Sequence, residues 1–293
     1  MASRGDPALI AGFGRADITP SVGDPFRHGG QVKAVVDPVT ARALYLEGVG
    51  GDGPVILAMA DTSGFTRSAD RRMRRAIARA TGLPVERVRL NASHNHTCPD
   101  ADQTAQEILA PYGLHHVSLG WLELVERRLV EAAMQAQAVR RPVTVAAGTG
   151  PVDGLAANRS VPQPDGSIAT RYGVVRPEMA HLRSAQVGLV DPNVVVLSLC
   201  GEDGRPMVTL VNYACHVTSI RDREVVSPDY PGYALDEIER ETGTSGFFLQ
   251  GAAGNVGTGK YADGTVEGAK ALGGRLAQAV LGALGRLHVL PPA

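Results

Sequence analysis

Two stretches of this chain share one pattern, and the pattern restricts what the chain can fold into. "ARALYLEGVGGDGPVILAMADTSG", Ala41 to Gly64, reads as strand, Gly/Asp turn, strand; "NVVVLSLCGEDGRPMVTLVNYACH", Asn193 to His216, repeats it with a comparable turn. Apolar, β-branched runs flanking a short Gly/Asp cluster are a hairpin signal. Each hairpin is followed by a helical stretch and another apolar run: Ser68 to Ala80 and then Val85 to Asn91, Pro231 to Glu241 and then Gly246 to Leu249. This duplicated unit predicts an α/β single domain in which two mixed β-sheets pack together with helices on the outside. Sites would form where the strand ends of the two lobes meet. The alternative is that two unrelated hairpins share the same turn chemistry.

The rest of the chain fills in around these units. In Ser68 to Ala80 the apolar residues Ala69, Met73, Ala76, Ile77 and Ala80 recur at helical spacing, which leaves the arginines for a solvated face. Gly120 to Ala138 and Val266 to Leu284 carry similar stripes, and Val143 to Ala147 reads as a further strand. Pro151 to Pro192 shows little periodicity and reads as a long loop, where a buried arginine could bind an anion or a carbonyl oxygen. At 293 residues, with 44% hydrophobic and 20% charged residues and a net charge of −1, the chain can bury a large core and carries neither a nucleic-acid footprint nor a polybasic membrane surface. No apolar run is long enough to span a bilayer, and "MASRGDPALIAGFG" lacks the apolar core of an export signal, so a cytoplasmic protein is expected. The three cysteines, Cys98, Cys200 and Cys215, include no Cys-x-x-Cys and suit buried, reduced thiols.

The chemistry-bearing residues follow strands. "ASHNHTCPD" places His94 and His96 two apart, on one side of an extended chain, and "VNYACHVTSI" places His216 after the second hairpin. Imidazoles on strand ends suit a zinc-like metal, although for a His-x-His alone a polar strand end is the more common reading. Six blocks in order then point to a known family: "AGFGRADITP" (Ala11 to Pro20), the His94/His96 segment, "NRS" (Asn158 to Ser160), "NYACHVTSI" (Asn212 to Ile220), "SPDYPGYA" (Ser227 to Ala234) and "LQGAAGNV" (Leu249 to Val256). Together they resemble the neutral/alkaline ceramidase family of zinc-dependent amidases, and most of the chain is covered.

The resemblance implies that His94 and His216 are metal ligands for Zn2+, that His96 faces the substrate as oxyanion donor or acid for the leaving amine, and that Arg159 binds substrate. The chain departs from the family pattern at Gly257, followed by Thr258, where a serine hydroxyl is expected, and in ending before the region that supplies a glutamate and a tyrosine to the metal. Three accounts follow. The missing ligands come from a second polypeptide in a hetero-oligomer; or Asp61, Asp229 or Tyr261 completes the site; or the chain is an inactive binding or scaffold subunit. The low aromatic content of 4% and the lack of an amphipathic anchor favour a soluble small-molecule amide over a membrane lipid as substrate. Asp229 also has a plain structural reading as an N-cap-type residue before a helix opening at Pro231.

Overall fold

In the computed structural model the described residues are 9–26, 29–48, 51, 53–173, 177–222 and 224–291. The first lobe runs β1 (Leu9–Asp17), β2 (Ala34–Val35), β3 (Thr40–Gly48), β4 (Val55–Ala60), α1 (Arg67–Thr81), β5 (Val88–Ala92), α2 (Gln103–Leu109) and α3 (Leu119–Ala138). The second opens with β6 (Arg141–Pro151), β7 (Ala157–Asn158), β8 (Ser160–Pro162), β9 (Ile168–Thr170), α4 (His181–Ser184), β10 (Asn193–Cys200) and β11 (Pro206–Tyr213). It closes with β12 (Val225–Val226), α5 (Asp229–Thr242), β13 (Ser245–Gln250), β14 (Val256–Gly257), α6 (Val266–Leu284) and β15 (His288–Val289).

The duplication is present in the topology. In each lobe one strand pairs antiparallel with a hairpin, and the hairpin's second strand pairs parallel, across a helix, with the strand that follows: β1-β3-β4-β5 around α1, and β6-β10-β11-β13 around α5. The two expected mixed sheets are two halves of one hydrogen-bonded sheet, joined where Leu9, Ile10 and Ala11 of β1 pair with Val143, Pro142 and Arg141 of β6. Alternating side chains divide the burial. Ala43, Tyr45, Ile56 and Ala58 enter the core with α1 and α3, whereas Ala11, Leu44 and Met59 enter the core that also holds α5 and α6. A polar clamp ties the lobes together: Arg42 of β3 donates to Glu239 of α5 at 2.8 Å and to the Gly246 carbonyl at 2.6 Å, and Arg15 of β1 donates to the other Glu239 oxygen at 2.9 Å.

Three local expectations are corrected. Val85 to Arg87 is a 3-10 turn and the strand starts only at Val88, because Pro84 sets an extended residue that opens the turn. Pro151 to Pro192 is not wholly loop, since β6 reaches Pro151 and the β8–β9 hairpin and α4 lie within it. The α5 helix begins at Asp229, so Pro231 is its third residue; the cap position is Pro228, and the Asp229 side chain works elsewhere. Val49, Gly50 and Asp52 of the first hairpin turn lie outside the described residues.

Candidate metal centre

The parallel pairs β4–β5 and β11–β13 end side by side, and the loops leaving them build the site. His94 follows β5 and His216 follows β11; an isolated bridge between Asn95 and Val217, and a 3.1 Å bond from the His96 amide to the Val217 carbonyl, join the two loops. Asn95 is buried and fixes the turn between the histidines. Its Nδ2 donates to the Ser227 carbonyl at 2.6 Å, and its Oδ1 accepts from the Thr97 amide and hydroxyl, each at 2.8 Å.

The three imidazoles converge. His94 Nε2 lies 2.9 Å from His216 Nε2 and 3.3 Å from His96 Nε2, and all three rings are half-buried. The other nitrogen of two rings faces a carbonyl: His94 Nδ1 meets Ser63 O at 2.5 Å, and His216 Nδ1 meets Ala253 O at 2.8 Å. A carbonyl cannot donate, so both Nδ1 atoms carry the proton and both Nε2 atoms present lone pairs to one point. Ser63 follows β4 and Ala253 follows β13, so in each lobe the loop after one parallel strand orients the histidine after its neighbour.

Bare nitrogen acceptors this close repel unless a cation lies among them. Tetrahedral zinc–nitrogen bonds set neighbouring nitrogens about 3.3 Å apart, close to the spacing found, so the donor set fits a zinc-like ion. Backbone strain falls on a site residue: His94 (φ 62°) is one of two non-glycine residues at positive φ among the described residues, the other being Asp229 (φ 50°).

Arg159 sits between β7 and β8, with Nη1 3.5 Å from both ring nitrogens of His216 and 3.3 Å from the Gly254 carbonyl, and its Cζ 5.0 Å from the centre of the Tyr172 ring. Arg171 anchors this segment. It is 1% exposed, donates to the carbonyls of Asn158, Leu182, Ala185, Gln186 and Val187, and its amide donates to Arg159 O at 2.7 Å.

The carboxylates proposed to complete the site lie apart from it, and among the described residues none joins the three imidazoles. Asp61 accepts from the Thr40 amide at 2.8 Å and lines a crevice of about 350 Å3 with Asp17, Arg42 and Asp236; burial pushes its carboxyl up, against hydrogen bonds from Thr40 and the charge of Arg42. Asp229 is fully buried and accepts from the Ser219 hydroxyl and amide and the Tyr230 amide, which braces the segment after His216; burial raises its carboxyl too, against those donors. Tyr261 packs against the core. Gly257 lines the site, and the Thr258 hydroxyl turns away to the Gly173 carbonyl at 3.0 Å.

Ser63, Ala253 and Tyr172 escape a reading of the sequence. The first two act through backbone oxygens; the duplication could have located them, because it makes β4 neighbour β5 and β11 neighbour β13. Tyr172 carried no signal.

No protein-family model matches the chain, and no curated protein matches it. Solved structures do. A ceramidase complexed with C2 aligns with a TM-score of 0.74 at 19% identity, covering 96% of this chain and 44% of that one. The neutral ceramidase from Pseudomonas aeruginosa aligns with a TM-score of 0.74 at 20% identity, covering 96% and 45%. The chain therefore shares the neutral-ceramidase fold, as the six sequence blocks implied, and spans less than half the length of those structures.

Proposed function

We propose that this chain is the histidine-bearing part of a zinc-dependent amide hydrolase that cleaves, or transfers, the N-acyl bond of a soluble small molecule in the cytoplasm. The observation that carries the reading is the convergence of three Nε2 atoms with two Nδ1 protons fixed by carbonyls. His94 and His216 would hold the metal, which when bound polarises a carbonyl and lowers the pKa of a bound water. His96, beside them, donates a proton to the developing oxyanion or the leaving amine, and Arg159 orients the substrate. The carboxylate and phenol still needed come from a second polypeptide. Support for this comes from the absence of a carboxylate beside the imidazoles among the described residues.

His94→Ala and His216→Ala are expected to lose stoichiometric zinc, whereas His96→Gln keeps the metal and loses turnover. Elemental analysis and amide-hydrolysis assays of the assembled protein check this; full zinc retention in either alanine variant would refute the ligand assignment. A second reading, an inactive binding subunit, is favoured by Gly257, which offers no hydroxyl beside His216 and Arg159. Its signature is a zinc-loaded assembly that hydrolyses no amide.

A further inference from the structure

The polarity of the Arg159 side of the site sets a condition on the substrate. Arg159, Arg171 and Lys260 gather around the β7–β9 segment, and none of them is in an ion pair among the described residues. Their partners carry no charge: the Gly254 carbonyl and the His216 ring for Arg159, five backbone oxygens for Arg171, and the carbonyls of Arg183 and Ala185 for Lys260 at 2.8 and 2.6 Å. Carbonyl dipoles satisfy the donors without cancelling the charge, and the Arg171 guanidinium is buried with Nε unpartnered among the described residues.

Within this field Arg159 uses only Nη1. Its Nε and Nη2 have no partner among the described residues, and that edge of a guanidinium is the one that grips a carboxylate with two parallel bonds. The plane of the fork is held by the Tyr172 ring on one side. Its stem rests on Gly257, whose absent Cβ would touch Arg159 Cγ and Cδ at 3.4 Å. With Nη1 3.5 Å from His216 Nε2, an anionic group about one residue's length (~3.8 Å) from the scissile carbonyl would reach the fork.

We propose that the amide handled here is an N-acyl amino acid, or a peptide-like amide with the same end, whose carboxylate is held by the Nε/Nη2 edge of Arg159. This rests on the amidase reading of the same site. In the reaction, the oxygen of water bonds to the acyl carbon, the C–N bond breaks and the amine nitrogen takes the proton, releasing a carboxylic acid and a free amino acid. A neutral amide would leave the guanidinium charge uncompensated and gain nothing from the fork.

Calorimetric titration of the zinc-loaded assembly with N-octanoylglycine, N-octanoyltaurine and N-octanoylethanolamine tests this, the sulfonate being a poor metal ligand. Both anions are expected to bind at least about tenfold more tightly than the neutral amide. Arg159→Gln removes the preference and Arg159→Lys restores part of it, with zinc content unchanged. Equal affinities, no measurable binding of either anion, or a preference that survives in Arg159→Gln overturn the assignment; in the last case the anion sits on the metal. Turnover is read separately. An intact, Arg159-dependent preference with no hydrolysis of any of the three upholds the anion subsite and refutes the hydrolase reading.

Discussion

Residues with polar atoms in apolar surroundings carry the most information. Tyr213, at the end of β11, is 1% exposed, and its hydroxyl has no partner among the described residues. Burial pushes that phenol well above its ordinary range, with help from the neighbouring Cys215 and the carboxylate of Asp191. The folded protein therefore keeps the proton where the unfolded chain would release it, near pH 10. Stability from this group is complete below pH 10 and is lost as the pH rises beyond it. Tyr213→Phe is expected to be neutral or stabilising by up to about 1 kcal/mol at pH 7 and to flatten the loss of stability above pH 10. Urea unfolding at several pH values measures both, and a loss of more than about 1 kcal/mol at pH 7 would reveal a partner for the hydroxyl. Cys215 is held protonated by burial in the same way, so it belongs to the packing, as its sequence context suggested.

At the scale of elements, glycines decide how closely helices can approach strands. A Cβ at Gly12 would lie 2.0 Å from Ala136 O, and one at Gly14 would lie 2.1 Å from Ala132 O, so β1 runs directly beneath α3. The second lobe repeats the device, with Gly148 and Gly150 of β6 each 3.0 Å, at the Cβ position, from carbonyls of α6. Glycine weakens a strand but lets another backbone come close. This is why "AGFG" carries little strand signal and yet lies within a nine-residue strand. Gly14→Ala is expected to cost on the order of 3 kcal/mol, because backbone on both sides must move, whereas Gly23→Ala meets only the strain of its positive φ. Comparing the two variants by thermal or urea unfolding tests the claim; equal effects would contradict it.

At the scale of the whole molecule, the lobes share three residue pairs in the main sheet and two more where β2 pairs with β12, so side chains must help lock their orientation. Glu239 does this by accepting from both Arg42 and Arg15 and from the Gly246 amide at 2.9 Å. The Arg42 side chain is 4% exposed and in Glu239→Ala would lose its ion pair while keeping its bond to the Gly246 carbonyl. A loss of about 3 kcal/mol is expected, with weaker metal binding because His94 and His216 belong to different lobes. Zinc affinity measured on the folded variant separates this from simple destabilisation: wild-type affinity would mean that the lobes keep their register without the clamp.

Periodicity and turn chemistry determined the hairpins, the four long helices and the duplication, because these depend on residues within a dozen positions of one another. Val55 to Ala60 and Val266 to Leu284 were legible to the residue for that reason. Histidine spacing and strand context singled out His94, His96 and His216, whereas Arg159 was marked by the family resemblance alone. What it could not hold was the joining of the two sheets at Leu9 to Ala11, the carbonyls of Ser63 and Ala253 behind the imidazoles, and the stacking of Tyr172 under Arg159. Each of these depends on groups brought together from distant parts of the chain, and two of them on backbone atoms that every residue type shares. Only the tertiary structure could decide them.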